Sequence, residues 1–403
     1  MRAVIKPSTA RGEIAAPTSK SVAHRMLIAA ALSEEESVIS GVTHSDDVLA
    51  TVDCLRALGT VIEIDGDTFT VRGKDMKSTA PSCALYARES GSTLRFMIPI
   101  AALSGAKVLF TGSERLMSRP LSVYESIFKE RELLLRKFEK FIIVDGPLPS
   151  GEYVIDGSVS SQFISGLLFA LPLVSGDSVI KIIPPFASRS YVELTVDVLR
   201  KFGIIVQFED ELTITVPGEQ SYKGLTDSVE GDYSGAAFPD AMNLFGSEVK
   251  ISGLADDSKQ GDKVYRTLFT LLKNGCPEID IENCPDLAPV LFTVAAAHNG
   301  ACFTSTARLK IKESDRAEAM ATELRKFGAD ILVLENSVII RKAELHAPSD
   351  VLSGHNDHRV VMSLAVLATV YGGEIDGAEA VSKSYPDFFD DIKNIGIEAT
   401  LYD

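Results

Sequence analysis

Two hydrophobic periods alternate along this chain. Segments such as "ADILVLENSVIIRK" (329–342) and "IIVQFEDELTITV" (204–216) put apolar residues at every second position, which predicts half-buried strands joined by tight turns. Other segments are apolar nearly all round: "TSKSVAHRMLIAAALS", "ESGSTLRFMIPIAALSG", "GSVSSQFISGLLFALPLVSG", "GDYSGAAFPDAMNLFG", "CPDLAPVLFTVAAAHNG" and "HNDHRVVMSLAVLATVYGG". A helix without a polar face belongs in an interior, so these predict buried helices. Each opens on polar residues, and a buried helix with a polar first turn presents unsatisfied N–H groups and the positive end of its dipole.

A second helix type ends on a recurring pattern: "LRALG" at 55–59, "LRKF" at 135–138, "LRKFG" at 199–203, "LLKNG" at 271–275, "LRKFG" at 324–328 and "IKNIG" at 392–396. Glycine suits the left-handed position after a helix, and a preceding Lys or Arg complements the dipole. The copy at 135–138 is the weak one, with Glu139 in place of the glycine and abbreviated strands after it. The chain therefore reads as six strand-helix-strand-helix units of roughly 67 residues each. With 403 residues it should divide into two or more lobes with separate cores.

The stretch "ARLKIKESDRAEAM" (307–320) reads as a strand running into a helix. Arg308, Lys310 and Lys312 alternate with Leu309 and Ile311, placing three cations on one face ahead of Glu313, Asp315 and Arg316. The formal net charge of -16 makes such a cluster unusual here. An acidic balance argues against nucleic acid or an anionic membrane as partner, so any small anion must be held by a local basic pocket. The five cysteines are odd in number, scattered and without a CxxC pair, which reads as reduced thiols in a cytoplasmic protein. No signal peptide or membrane-spanning run is visible. There is no GxGxxG, GxxxxGK[ST] or GxSxG motif, and no histidine or cysteine set at metal spacing.

Several motifs carry candidate chemistry. In "PTSKSVAHR", Thr18 or Ser19 caps a helix, Lys20 sits at its tip, and Ser21 and Arg25 share one face. Gly91 in "ESGSTLR" permits close approach of backbone to a ligand. "GSVSSQF" holds more hydroxyls than one cap needs, with Ser158, Ser160, Ser161 and Gln162. "ASRSYVE" contains a capping box from Ser190 to Glu193, leaving Ser188 and Tyr191 as spare donors. "ERLMSRP" offers Arg115 and Arg119 on a loop, and "NDHR" opens a buried helix with Asp357, His358 and Arg359. Asp286 in "CPDLAP" is either an N-cap or a general base.

Taken in this order, with "VEGDYSGAA" and "SKSYPDFF" added, the motifs resemble those of the enolpyruvyl transferase family in its 5-enolpyruvylshikimate-3-phosphate synthase branch, nearly end to end. The resemblance implies an α/β (α+β) fold of two similar lobes, each of three βαββαβ units with buried parallel helices, an inside-out α/β barrel, and a cleft between the lobes. The lobes are expected at 15–228 and at 1–14 plus 229–403. The implied reaction transfers the enolpyruvyl group of phosphoenolpyruvate to the 5-hydroxyl of shikimate 3-phosphate by addition and elimination. It takes no metal or organic cofactor, and the family precedent is a monomer with no nucleic-acid or membrane partner.

The family's roles carry over residue by residue. Lys20, Ser21, Arg25, Ser160, Ser161, Gln162, Ser188, Tyr191, Asp286 and Lys312 are implied for shikimate 3-phosphate. Lys20, Gly91, Arg119, Gln162, Arg316, Arg359 and Lys383 are implied for phosphoenolpyruvate. Asp286 resembles the base for the 5-hydroxyl proton, while Glu313 and Lys383 are rival donors to the methylene carbon; Lys20 lies between the substrates. The substrates together bring roughly six negative charges, which these cations and the helix N-termini would offset. Arg308, Glu89 and Phe96 depart from the usual Asn, Asn and Pro. The rival readings are the sister transferase acting on UDP-N-acetylglucosamine and a catalytically dead anion-binding relative. The first is opposed by Ser21 after Lys20 and by the absence of Cys from 111–120.

Overall fold

The computed structural model describes residues 1–78 and 83–403. All six apolar segments form helices: Lys20–Ala31, Gly91–Ala101, Ser161–Ala170, Tyr233–Ala241, Ala288–Ala297 and His358–Tyr371. Their burial follows from their composition, since none has a polar face to offer to water. In the last of them every residue from Val360 to Ala368 is at most 1% exposed. Truncating one of these side chains, for example Leu364→Ala, would cost about 2–5 kcal/mol.

The chain divides into two compact units, Thr18–Glu230 and Met1–Pro17 with Gly231–Asp403. Among the described residues each has its own apolar core and three sheets. In Thr18–Glu230 all three sheets share one pattern, a parallel pair followed by two antiparallel neighbours. Gly151–Asp156, for instance, runs parallel to Ser178–Ile183, which pairs antiparallel with Thr213–Val216 and through it with Gln207–Phe208. The second unit repeats this pattern twice. Its third sheet is the parallel pair Arg11–Ala15 and Glu248–Ser252. The first strand, Arg2–Ile5, lies between Gly373–Asp376 and Ala399–Tyr402, which ties the start of the chain to its last repeat.

The helix-ending pattern is only partly as the sequence predicts. Gly59, Gly203, Gly328 and Gly396 follow helices with φ of 98°, 79°, 92° and 104°, the left-handed conformation expected. Gly275 follows its helix in extended conformation, with φ of -173°. "LRKF" at 135–138 ends no helix: Leu134–Lys137 is a strand, and the helix before it is Ser122–Glu130. Leu134–Lys137 pairs antiparallel with Phe141–Asp145, which makes it the first arm of a hairpin.

Residues Ala307–Ile311 likewise form a short 3-10 helix and not the predicted strand. The strand is Gly300–Thr304, and it is broken by Ser305 at φ 60°. With three residues per turn, alternate positions point different ways, so Lys310 is exposed while Arg308 is only partly so, and Lys312 follows the helix in extended conformation. Two further expectations change. The helix at 189–201 starts at Arg189 after a left-handed Ser188, two residues ahead of the start a Ser190 capping box requires. Arg119 follows a five-residue helix, Glu114–Ser118, and is buried, not solvated on a loop. Among the described residues no helix is long and apolar enough to cross a membrane, and no His/Cys/Asp/Glu group could hold a metal.

Candidate functional site

In Thr18–Glu230 the predicted residues gather at the polar first turns of buried helices. Ser19 caps Lys20–Ala31 by accepting from the Val22 N–H, which places Lys20 on the first turn. The Lys20 ammonium is 2.8 Å from Asp47, with both side chains mostly buried. Arg25 is buried, and its donors reach neutral acceptors: the Ser21 carbonyl at 2.8 Å, Thr195 Oγ1 at 2.8 Å and the Tyr191 carbonyl at 3.0 Å. Burial lowers the Arg25 pKa to about 10, which leaves it a cation at neutral pH. Ser21, Arg25 and Tyr191 are thus held together, with the buried Ser188 at the start of the Tyr191 helix.

A second group forms around the Gly91–Ala101 helix, which Ser90 caps from the Thr93 N–H. A Cβ on Gly91 would lie 2.5 Å from Arg119 Nη1 and 3.3 Å from Arg95 Nη1. Glycine there lets two guanidinium groups rest on the first turn. Arg95 also donates to Gln162 Oε1 at 2.6 Å, and Gln162 donates to Ser92 Oγ at 2.9 Å. Ser160 caps the helix that carries the buried Ser161 and Gln162, accepting from the Gln162 N–H at 3.3 Å. Lys137 donates to the Arg119 carbonyl at 2.6 Å.

The other unit holds the acidic and basic residues of the opening motif. Asp286 does not cap its helix; the cap position is Leu287, with no side-chain bond. Its carboxylate instead accepts from Arg316 at 2.7 Å and Lys312 at 3.1 Å through Oδ1, and from Arg359 at 3.1 Å through Oδ2. Arg316 is 1% exposed and also bonds Glu313 at 2.7 Å and Asp357 at 2.9 Å. Burial pulls the Arg316 pKa down, but Asp357, Glu313 and Asp286 outweigh it, so the net shift is upward. Burial dominates for Lys312, whose pKa falls despite Asp286. Asp357 caps the next helix from the Arg359 N–H at 3.0 Å. Lys383 donates to both the carbonyl and Oδ1 of Asn356, each at 2.7 Å.

The two groups differ electrostatically. Lys312, Arg316 and Arg359 are interleaved with three carboxylates, whereas Arg25 rests on neutral oxygens. An incoming anion must exchange with a carboxylate in the first case and simply adds charge-assisted bonds in the second. Sequence reasoning left Asp47, Arg95 and Lys137 out of the site, and placed Asp357 at a helix start without its bond to Arg316. Arg95 had a signal, a lone arginine one turn after Gly91 in an otherwise apolar helix, and Lys137 lay in the misread strand.

The chain matches the family model described as EPSP synthase (3-phosphoshikimate 1-carboxyvinyltransferase) over residues 4–392. A curated relative of that enzyme name from Clostridium kluyveri is 39% identical over 416 residues, covering 98% of this chain and 97% of the relative. One from Clostridium acetobutylicum is 39% identical over 414 residues, covering 97% and 96%. The solved EPSP synthase of Acinetobacter baumannii shares the fold, with a TM-score of 0.80 at 23% identity across 99% of this chain and 100% of that one.

Proposed function

This chain belongs to the EPSP synthase family, and from that premise we propose how its own residues carry the family reaction. It is a transferase of the shikimate pathway, a 3-phosphoshikimate 1-carboxyvinyltransferase. It moves the enolpyruvyl group of phosphoenolpyruvate to the 5-hydroxyl of shikimate 3-phosphate and releases phosphate. In the addition, the 5-oxygen bonds to C2 of phosphoenolpyruvate while the methylene carbon takes a proton. In the elimination, that carbon returns a proton and the C2–O bond to phosphate breaks.

Asp286 is assigned the 5-hydroxyl proton. The observation that carries this is its carboxylate, held on both oxygens by Lys312, Arg316 and Arg359. Fixing a base within reach of one hydroxyl contributes through orientation as well as proton transfer. Glu313 and Lys383 are the two candidates to protonate the methylene carbon. Ser21, Arg25, Ser160, Ser161, Gln162, Ser188, Tyr191 and Lys312 hold shikimate 3-phosphate, with Arg25 as its principal cation. Gly91, Arg119, Gln162, Arg316, Arg359 and Lys383 hold phosphoenolpyruvate, and Lys20 serves both substrates. The five free thiols support a cytoplasmic setting.

The test is phosphate release from phosphoenolpyruvate by purified protein, with and without shikimate 3-phosphate, beside Asp286→Ala. Release should require shikimate 3-phosphate and drop by about 10²–10⁴ in the variant. Full activity in a folded Asp286→Ala protein refutes the base assignment. Absence of release from the parent protein, or release that requires UDP-N-acetylglucosamine, refutes the activity itself.

A further inference from the structure

Behind Lys383 lies a buried carboxylate that the reaction does not use. Glu323 is 1% exposed and sits two turns along the helix from Arg316. Oε2 accepts from Lys326 at 2.8 Å and from the Ser353 N–H at 2.9 Å, and Oε1 is 2.9 Å from His355 Nε2. The loop it grips is unusual. His355 and Asn356 are consecutive non-glycine residues in the left-handed region, at φ of 49° and 52°. Such a conformation persists only where surrounding contacts impose it.

The other side of that loop faces the site. Asn356 offers its carbonyl and Oδ1 to Lys383, and the next residue, Asp357, bonds Arg316 and caps the Arg359 helix. Ser353 Oγ accepts from the His355 N–H at 3.2 Å, and the Gly354 N–H reaches the Asp376 carbonyl at 2.7 Å, so the loop is braced along its length. Lys326 completes the anchor by donating to the Val351 carbonyl at 2.8 Å. The chain of bonds therefore runs from Glu323 through Ser353 and His355 to Asn356 and so to Lys383.

We propose that Glu323, acting through His355 and the Ser353–Asn356 loop, is a positioning residue that orients the Lys383 ammonium toward phosphoenolpyruvate. This rests on the assignment of Lys383 to phosphoenolpyruvate made above. A lysine is a point charge on a flexible stem, so its aim is set by its acceptors. Two of those acceptors, the carbonyl and Oδ1, belong to Asn356, and the loop that carries it is held in place by Glu323.

Two variants test it. Glu323→Gln replaces the carboxylate by an amide that cannot accept on both sides. His355→Gly removes the imidazole yet tolerates the positive φ, so it separates the side-chain bond from backbone strain. Trace acetylation of the ligand-free protein, read by mass spectrometry, should show Lys383 modified about threefold or more faster in each variant, relative to the exposed Lys6, as its buried ammonium is released. KM for phosphoenolpyruvate should rise about tenfold while that for shikimate 3-phosphate stays within about twofold. If Glu323→Gln fails to fold, His355→Gly alone decides. Unchanged Lys383 acetylation, or equal rises in both KM values, overturns the proposal. Lys383→Met separates it from its premise: an unchanged KM for phosphoenolpyruvate there removes Lys383 from the substrate, whereas acetylation still reports whether Glu323 orients it.

Discussion

Replacing Asp357 by Asn probes the most deeply buried ion pair in the candidate site. Asp357 is fully buried; its Oδ2 accepts from Arg316 Nε at 2.9 Å and Ser314 Oγ at 3.1 Å, and its Oδ1 caps the Arg359 N–H. Asparagine keeps the shape and, through its carbonyl, the cap. Its amide then points N–H groups at the Arg316 N–H and the Ser314 hydroxyl, which turns acceptor into donor. Removing one partner of a buried pair costs about 3–5 kcal/mol, because the other charge stays buried without compensation. Arg316 keeps Asp286 and Glu313, so the lower end applies, about 3 kcal/mol. For a unit of this size that is about 6–12 °C in Tm. Calorimetry and urea unfolding should agree, with Ser314→Ala as control, since it loses only one hydrogen bond worth about 1 kcal/mol. A loss for Asp357→Asn no larger than that of Ser314→Ala would refute the view that Arg316 depends on Asp357 for its burial.

Two further predictions follow from single groups. Gly91→Ala places a Cβ 2.5 Å from Arg119 Nη1, the mobile end of a long side chain, so the guanidinium moves and the fold survives. KM for phosphoenolpyruvate should rise about tenfold with Tm within about 2 °C of the parent, and an unchanged KM in steady-state kinetics contradicts the placement of Arg119. His24 is buried beside Thr51, and burial, then Lys20 and Arg25, hold its pKa well below 6.5. The unfolded chain therefore binds this proton first, and stability present above pH 6.5 is lost as pH falls toward the folded value, at up to about 1.4 kcal/mol per pH unit. Urea unfolding of His24→Asn should lack that slope between about pH 6.5 and 5, and an identical slope in both proteins would assign it to other groups.

Much of the architecture could be read from composition and period. Six segments without a polar face had to be interior helices, and their caps at Ser19, Ser160 and Asp357 were visible as residue types. The misreadings have a common cause. Alternation in "ARLKI" and helix-like ending in "LRKF" are local signals over four or five residues, too short to outweigh what precedes them. In the first case a left-handed Ser305 ends the strand, and in the second the chain had already left its helix at Glu130. The motif residues were legible because their types and order resemble a family, but several supporting residues were not. Asp47, Lys137 and Glu323 reach their partners only through folding, across 27, 18 and 32 positions for Lys20, Arg119 and His355.

The sequence by itself determined the repeat, the buried helices and the inventory of cations and carboxylates, because hydrophobic period and residue type are local properties. Only the tertiary structure decided how those charges are spent. It paired Arg316 with three carboxylates and left Arg25 on neutral oxygens, although both are buried arginines near the start of a helix. The physical reason is that Coulomb energy and desolvation depend on which groups meet and how much water is excluded, and neither quantity is written along a chain.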